Sequence, residues 1–500
     1  MTDTGIKRKP RIIFRADGGA SIGLGHVVRT LALAQMLSSD FECIFAIQQP
    51  SKELQQQISE VCDGLISLPA CTPEEERFVH ELDAYISEEE IVVLDGYSFG
   101  TAYQKSIKAK GATLVCIDDI HHYPFVADAV INHGTLDPAP YQVAYFTKLL
   151  LGLKYALLRP PFLAKDNKVK TGKGIFLCFG GSDPQNLTQR YLSFIIDAGI
   201  KAPVQVVVGS AYTYFDELQA YVRQQRKDIK ITLHQNVSAQ ELAQVIGSCK
   251  IAVVPGSSIA LECAGLGLHL VCGYYVDNQK GILKMLTDAG VAVNLGNLQE
   301  ASSDMFSEAL LQAQQQGKEV TGQLFAGNSP AHNLLKEFKK LSTAAQLQIR
   351  EAQEADVELY FNWANDPETR ANAINQDPIL YNSHVQWYNG KIKSAQSYLY
   401  LLSLQDAPVG QVRFDAEGDA FLIDYSVAPE HRGLGLGRSG LIKAIEQLKK
   451  AESAAPLLLK ALVKDTNVAS KAVFESLHFK RTGHESINQE DYTQYELRIA

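Results

Sequence analysis

The chain has 500 residues, 46% hydrophobic and 21% charged, an ordinary composition for globular protein that excludes a disordered, collagen-like or coiled-coil chain. At about 150 residues per domain the length suggests about three lobes, and no apolar run approaches the ~18 residues of a membrane span. Forty-seven basic and 56 acidic residues give a formal charge of −9, so neither nucleic acid nor an anionic membrane is attracted globally, and an anionic ligand needs a local device such as a helix N-terminus.

The first ten residues, Met1 to Pro10, lack the apolar core of a signal peptide, which makes the cytoplasm the expected compartment. The spacing then predicts alternating strands and helices. Strands are expected at 11–15, 41–47, 91–95, 113–118 and 129–132, with a helix from His26 whose apolar face is Val27, Leu31, Ala34 and Leu37. Alternation of this kind predicts a parallel, doubly wound sheet. Residues 164–174 are polar and lysine-rich and read as a linker. The pattern restarts with strands at 175–179, 204–208, 229–233, 251–254 and 270–273, and 331–341 reads as a closing helix. From Leu347 a different unit opens, with an early helix at 356–364 and consecutive strands at 398–404, 410–415 and 421–427. A long helix over 439–450 follows, an α+β order. The expected domains are therefore 10–165, 173–342 and 347–500. All eight cysteines, from Cys43 to Cys272, fall early and contain no C-x-x-C pair, whereas both tryptophans, Trp363 and Trp387, fall late. That asymmetry reads as the trace of a fusion near residue 345, and the missing pair argues against structural zinc. Nothing in the sequence sets an oligomeric state.

Two constellations carry chemistry. In the first, Ile22-Gly23-Leu24-Gly25-His26 joins a strand end to a helix start. Its glycines permit close approach of a ligand, the helix end favours a diphosphate, and His26 is placed as a general base. A capped surface turn would carry the same residues. Downstream, Gly180-Gly181-Ser182-Asp183 is a second strand-to-helix turn, and Pro255-Gly-Ser257-Ser258 precedes a helix containing Glu262. Each residue there also reads as helix capping, whereas the ensemble reads as a ligand site. Asp118-Asp119-x-His121-His122 has the look of a metal cluster, but a strand exit collects polar residues anyway, and no metal is expected.

Taken in order, Arg15-x-Asp17 … Gly23-x-Gly25-His26, Tyr155-Ala-Leu-Leu-Arg159, Phe179-Gly-Gly-Ser-Asp183, Ser257-Ser258 … Glu262 and Asn278-Gln279 resemble the nucleotide-sugar hydrolases of pseudaminic acid biosynthesis. Those enzymes cleave UDP-2,4-diacetamido-2,4,6-trideoxy-β-L-altropyranose and are similar to GT-B glycosyltransferases. The resemblance covers about residues 10–340 and implies two Rossmann-like lobes in a GT-B arrangement. It implies that His26 activates water against the anomeric carbon with inversion, and that Asp17 orients His26 or the sugar. Arg15, Gly23, Gly25, Tyr97, Gly181, Ser182, Ser257, Ser258, Glu262, Asn278 and Gln279 would bind the UDP-sugar.

In the second constellation, His431-Arg432-Gly433-Leu434-Gly435-Leu436-Gly437 follows a strand ending at Val427 and precedes a helix. Successive amides in such a turn can cradle a pyrophosphate. With Asn467-x-x-Ser470 and Phe474-Glu-Ser-Leu-His-Phe479 it resembles the acetyl-CoA loop of GNAT acetyltransferases over about 347–500. The resemblance implies acetyl-CoA as cosubstrate, held by Val427, Arg432, Gly433, Gly435, Gly437 and Asn467. Phe474 stands where many such enzymes have a tyrosine acid, and His478 where a glycine is usual, so the acid is unassigned; Tyr492 and Tyr495 are nearby in sequence. Trp363, Trp387 and Tyr388 would line the sugar side or the core. Together the halves imply a bifunctional enzyme. The C-terminal domain would N4-acetylate UDP-4-amino-4,6-dideoxy-N-acetyl-β-L-altrosamine, and the N-terminal part would hydrolyse the product. The alternatives are a GT-B transferase fused to a GNAT domain, and a hydrolase with a silent acetyl-CoA-binding regulatory domain.

Overall fold

The computed structural model describes residues 9–18, 24–162, 172–225, 229–315, 329–452 and 456–499, and divides into two compact units. Unit 1 comprises residues 1–142 and 149–337; unit 2 comprises 143–148 and 338–500. The division falls inside a helix, and the short stretch 143–148 groups with the later unit, which no sequence pattern marks. The lysine-rich stretch expected as a linker lies outside the described residues except for its last three.

Unit 1 contains two sheets. The first has strands β1 (Arg11–Ala16), β2 (Glu42–Gln48), β3 (Gly64–Leu68), β4 (Ile91–Asp95), β5 (Thr113–Ile117), β6 (Ala129–Asn132) and β7 (Lys148–Leu151), in the order β3-β2-β1-β4-β5-β6-β7. The pairings from β3 to β6 are all parallel. Its helices are α1 (Gly25–Leu37), α2 (Lys52–Ser59) and α3 (Thr101–Ala109). Every residue of β4, β5 and β6 is buried, as a parallel sheet covered on both faces requires. The order reverses between β1 and β4, which brings the C-terminal ends of these two strands side by side beneath the N-terminus of α1. Such a switch point is where open α/β sheets bind ligands.

The second sheet has β8 (Gly174–Leu177), β9 (Val204–Val208), β10 (Ile231–Gln235), β11 (Cys249–Pro255), β12 (His269–Tyr274) and β13 (Ala292–Asn297), in the parallel order β10-β9-β8-β11-β12-β13. Helices α4 (Leu187–Asp197), α5 (Phe215–Gln224), α6 (Ala239–Gly247), α7 (Ser258–Gly265), α8 (Lys280–Asp288) and α9 (Ser303–Gln315) accompany it, and α10 (Pro330–Ala345) follows. Its core joins Leu177, Val206 and Val253 to Tyr191, Ile195, Phe306 and Leu310. All eight cysteines are buried and free.

Unit 2 holds one sheet of β14 (Leu347–Glu351), β15 (Ser397–Leu404), β16 (Ala407–Glu417), β17 (Ala420–Val427), β18 (Leu457–Lys464), β19 (Lys480–Ile487) and β20 (Glu490–Ile499). Its order is β14-β15-β16-β17-β18-β20-β19, antiparallel except for β17 and β18. Helices α11 (Val357–Ala364), α12 (Pro367–Asn372), α13 (Tyr381–Ile392), α14 (Leu436–Ala451) and α15 (Val468–Ser476) complete it. The core packs Leu402, Val412 and Phe414 of the sheet against Leu441, Ile445 and Leu448 of α14. His478, just past α15, has φ +60°, which explains the glycine usual there; its Nε2 lies 3.0 Å from the Thr147 carbonyl, a contact glycine could not make. Among the described residues no helix is long and apolar enough to cross a membrane.

Next to β6, His133 is buried, and its Nδ1 accepts the Leu157 amide at 3.3 Å. Burial, and then the charge of Arg29, lower its pKa from 6.5 to about 4. The native state thus keeps His133 neutral in a window where the unfolded chain is protonated, and stability falls as pH drops from 6.5 to about 4. The loss amounts to about 3 kcal/mol. Replacing His133 by Asn, which retains an acceptor for Leu157, is expected to flatten this acid limb, measured as the pH dependence of hydrogen-exchange protection in β5 and β6.

Candidate functional sites

The first site is built on a buried carboxylate. Asp95 ends β4 and is fully buried, beside the N-terminus of α1. Its Oδ1 lies 2.7 Å from His26 Nδ1, and Thr30, one turn further along α1, donates its hydroxyl to Oδ2 at 2.9 Å. Arg29 donates Nη2 to Oδ1 at 2.6 Å and Nε to Oδ2 at 2.7 Å, and its Nη1 reaches Asp119 Oδ2 at 2.8 Å. Burial alone would raise the Asp95 carboxyl; the charge of Arg29 and the bonds from His26 and Arg29 overcome it and hold Asp95 below the ordinary value. Burial would likewise depress Arg29, but Asp95 and Asp119 raise it well above the ordinary guanidinium. An ionised carboxylate only accepts, so in the contact with Asp95 it is Nδ1 of His26 that donates, with Arg29 Nη2 3.1 Å from the same nitrogen.

Tyr97, two residues past β4, is half-exposed and sets its ring edge-on to His26, centroids 4.7 Å apart. Burial, then the charge of Asp119, push its phenol up. Asn278, from the second lobe of the same unit, donates Nδ2 to the Tyr97 hydroxyl at 3.4 Å. Gln279 is buried and accepts the Tyr275 amide at 2.9 Å. Gly25 begins α1, whose first turn has no side-chain cap, and no atom lies within 4 Å of where a Cβ would stand. Gly23 lies outside the described residues.

The structure gives Asp17 and Arg15 partners of their own. The carboxylate that orients His26 is Asp95, not Asp17: Asp17 Oδ1 lies 2.6 Å from Arg15 Nη1 and accepts the Gln48 amide at 3.0 Å. Arg15 is fully buried, with Nε on Glu81 Oε1 at 2.7 Å. The signal for Arg29 is its position one turn after His26, on the same face of α1. Asp95 has no local signal; only the strand order places it there.

In the second lobe the helix ends differ. Asp183 takes the first amides of α4, Leu187 at 2.9 Å and Thr188 at 2.7 Å, and so closes that end from within. Gly181 and Ser182 remain exposed beside it. The N-terminus of α7 is open: Ser257 is its N-cap without a side-chain bond, and Ser258 begins the helix. Glu262, 4% exposed, is gripped by Arg159 through Nε at 2.7 Å and Nη2 at 2.8 Å. Burial raises the Glu262 carboxyl against the pull of Arg159. Among the described residues no group of three His, Cys, Asp or Glu is arranged to hold a metal ion, the Asp118–His122 cluster included. Asp118 instead accepts the turn amides of Ile120 and His121.

The second site lies in unit 2, where β17 and β18 part. They pair only through residues 420–422 and 458–460, so their facing edges are unbridged beyond that point. The gap opens into a cavity of about 810 Å³ lined by Val427, Arg432, Gly433, Gly435, Gly437 and Asn467 among others. The helix after the glycine turn starts at Leu436, three residues earlier than the spacing suggests, which puts Gly437 in its first turn. Gly435 is the N-cap at φ +83°, and a Cβ on Gly437 would stand 2.9 Å from the Tyr425 ring. The uncapped helix end and the two open strand edges fit an extended, phosphate-bearing cofactor.

Arg432 is tied down, Nη1 to Glu368 at 2.7 Å, Nη2 to Asp366 at 2.5 Å and Nε to the Val427 carbonyl at 3.2 Å. Asn467 caps α15 through the Ser470 amide at 3.0 Å. Tyr425 donates its hydroxyl to Ser470 Oγ at 3.0 Å, and its ring meets Phe474 edge-on at 5.9 Å. Burial pushes the Tyr425 phenol up to about 12. Tyr492 and Tyr495 are buried outside the cavity wall, Tyr495 donating to Glu475 at 2.9 Å. Tyr425 is thus a cavity-lining phenol whose ring meets Phe474, and its local sequence gives no hint of it. Trp363 and Tyr388 are core, whereas Trp387 lines the cavity with the Arg413 guanidinium 4.9 Å over its ring.

Comparison with known proteins agrees with this division. Residues 346–480 match the acetyltransferase (GNAT) domain family. An uncharacterised protein of Methanocaldococcus jannaschii is 22% identical over 499 residues, covering 94% of this chain and 97% of its own. The UDP-2,4-diacetamido-2,4,6-trideoxy-β-L-altropyranose hydrolase of Campylobacter jejuni is 24% identical over 295 residues, 57% of this chain and 98% of its own. A spermidine N-acetyltransferase of Vibrio cholerae, solved with CoA and spermine, is 18% identical and covers 31% of this chain and 96% of that one, with a TM-score of 0.29. The chain is therefore similar over its N-terminal part to the UDP-diacetamido-trideoxy-altropyranose hydrolase and matches the acetyltransferase (GNAT) domain family over residues 346–480.

Proposed function

We propose that the protein is a bifunctional enzyme of nucleotide-sugar metabolism. Unit 2 acetylates the 4-amino group of a UDP-4-amino sugar, and unit 1 hydrolyses the acetylated product to free sugar and UDP. The pathway that fits is pseudaminic acid biosynthesis, with UDP-4-amino-4,6-dideoxy-N-acetyl-β-L-altrosamine acetylated and UDP-2,4-diacetamido-2,4,6-trideoxy-β-L-altropyranose cleaved. The observation that carries the hydrolase reading is the His26–Asp95 pair at 2.7 Å, because it leaves His26 Nε2 to act as the base in the uncapped first turn of α1.

Asp95 fixes the tautomer, and Arg29 fixes Asp95. Nε2 takes a proton from water as its oxygen bonds to the anomeric carbon from the face opposite UDP, so the configuration inverts. The C1–O bond breaks with its electrons on the β-phosphate, and UDP leaves as the anion. Tyr97 and Asn278 hold the sugar, and the open end of α7 with Ser257 and Ser258 receives the diphosphate. Glu262 with Arg159, and Gly181 with Ser182, frame the nucleotide. Asp95 takes the place beside His26, and Asp17 pairs with Arg15 at the end of β1.

In unit 2, acetyl-CoA supplies the acetyl group as a thioester. Gly433, Gly435 and Gly437 present backbone amides to its diphosphate, and the parted edges of β17 and β18 run alongside its arm. Asn467 fixes the start of α15, and with it Ser470 and the Tyr425 hydroxyl. That hydroxyl holds a proton at Oη on the cavity wall where Phe474 has none. The acceptor enters past Trp387.

Supplying UDP-4-amino sugar and acetyl-CoA and following products by NMR tests the reading; acetylated sugar nucleotide should form first, then free sugar and UDP without any added acceptor. Sugar release that requires an acceptor would make unit 1 a transferase. His26→Ala should slow UDP release at least about hundredfold and leave acetylation intact, and Asp95→Asn should slow the same step by a comparable factor. Gly435→Val places a β-branched residue at φ +83° and should abolish acetylation and CoA binding while UDP release from the diacetamido substrate persists, read by calorimetry and product analysis.

A further inference from the structure

The cavity of unit 2 draws its wall from both faces of the sheet. Tyr425 and Val427 pack with Val412 and Phe414 on the face covered by α14. Side chains alternate along a strand, so Gln411 and Arg413 of β16 stand on the other face, and the register sets them opposite Ser426 and Asp424 of β17. Their partners across β15, Leu401 and Leu399, belong to the cluster of Tyr360, Trp363 and Tyr388 from α11 and α13. All four polar residues line the cavity, and Arg413 sets this group beside Trp387, past which the acceptor enters.

Gln411 is 7% exposed, and its neighbours fix its amide. Nε2 donates to Asp424 Oδ1 at 2.8 Å and to Ser426 Oγ at 3.4 Å. A carboxylate oxygen takes the N–H of a carboxamide and not its carbonyl, so Oε1 is the end turned from Asp424. Among the described residues Oε1 has no hydrogen-bond partner. A buried carbonyl oxygen without a donor is uncommon in a native protein, and it calls for one. His384, 2% exposed in the same wall, leaves its Nε2 equally unpartnered, but an imidazole nitrogen donates or accepts and so selects no ligand. A carboxamide oxygen only accepts. The Asp424 side chain beside it is half-exposed, with Arg413 Nη2 3.6 Å from its Oδ2. A primary amine arriving as its ammonium brings three N–H donors, enough for Gln411 Oε1 and for Asp424; a hydroxyl brings one. We propose that Gln411 Oε1 takes an N–H of the acceptor's primary amine and, with the Asp424 carboxylate, selects that amine at the acceptor end of the cavity. The inference rests on the reading of unit 2 as acetylating an amino sugar. It adds the residue that recognises the amine.

The test is steady-state acetylation by the full chain, read as release of the CoA thiol. The UDP-4-amino sugar is the substrate and its 4-deoxy analogue a competitive inhibitor. In the wild type the inhibition constant of the deoxy analogue should exceed KM of the amine about tenfold, the loss of one hydrogen bond. Equal values overturn the proposal without any variant. Gln411→Met keeps the length of the side chain and removes Oε1. It should raise KM for the amine about tenfold. The inhibition constant of the deoxy analogue and the calorimetric affinity for CoA should stay as they were. An unchanged KM overturns the proposal. So does an equal loss for amine and deoxy analogue, which would make Gln411 a wall residue whose Oε1 meets only water. A wild-type chain that binds CoA and acetylates no UDP-4-amino sugar overturns the acceptor reading itself, a result seen before any variant is made.

Discussion

Unit 1 depends on keeping one carboxylate ionised where no water reaches it. An unpaired buried charge is prohibitively costly, so Asp95 exists as an anion only because Arg29, Thr30 and His26 surround it with donors. Three of its neighbours lie within the first two turns of α1, which fixes the rotation of that helix over the β1–β4 junction. The same contacts that make the burial tolerable also aim His26. Structure and chemistry are here one constraint: a change that removed Arg29 would leave Asp95 unpaired and His26 without its fixed tautomer.

How much of this is legible in the sequence divides along the distance between partners. Local features read well: the strands at 91–95, 129–132 and 204–208 fall where alternation and apolar runs place them, and His26 and the Gly433–Gly437 turn are visible as motifs. Partners far apart in the chain do not. Asp95 is 69 residues from His26 and stands beside it only because β1 and β4 are neighbours. Asp17 is the nearer carboxylate in sequence, and nearness misleads because Arg15, next but one, claims it. The same holds in unit 2, where Phe474 announces a missing hydroxyl but Tyr425, on a strand 49 residues earlier, is seen only once β17 and α15 face each other across the gap. Short strands such as β3 and β13 escape because their alternation is too brief to separate from loop.

With a net charge of −9, the chain has to localise its attraction for anions. Strand–glycine–helix junctions are the natural device, and this chain contains several, yet they are not equivalent. At α4 the carboxylate of Asp183 occupies the amides an anion would use, and at α6 the Ser238–Glu241 capping box does the same. At α1, α7 and α14 no side chain takes that place.

An open helix end is not sufficient, however. The first turns of α3 and α13 also lack a side-chain cap, and nothing else converges on them. α7 follows β11 within three residues, while α1 and α14 come after longer connections from β1 and β17; what the three share is a place where the sheet changes: the reversal between β1 and β4, the β11 end beside β8, and the parting of β17 from β18. Topology therefore decides which of several similar glycine turns becomes a site. The side chains then decide what it does: an aimed imidazole at α1, paired serines at α7, and at α14 a glycine that lets the Tyr425 ring close in.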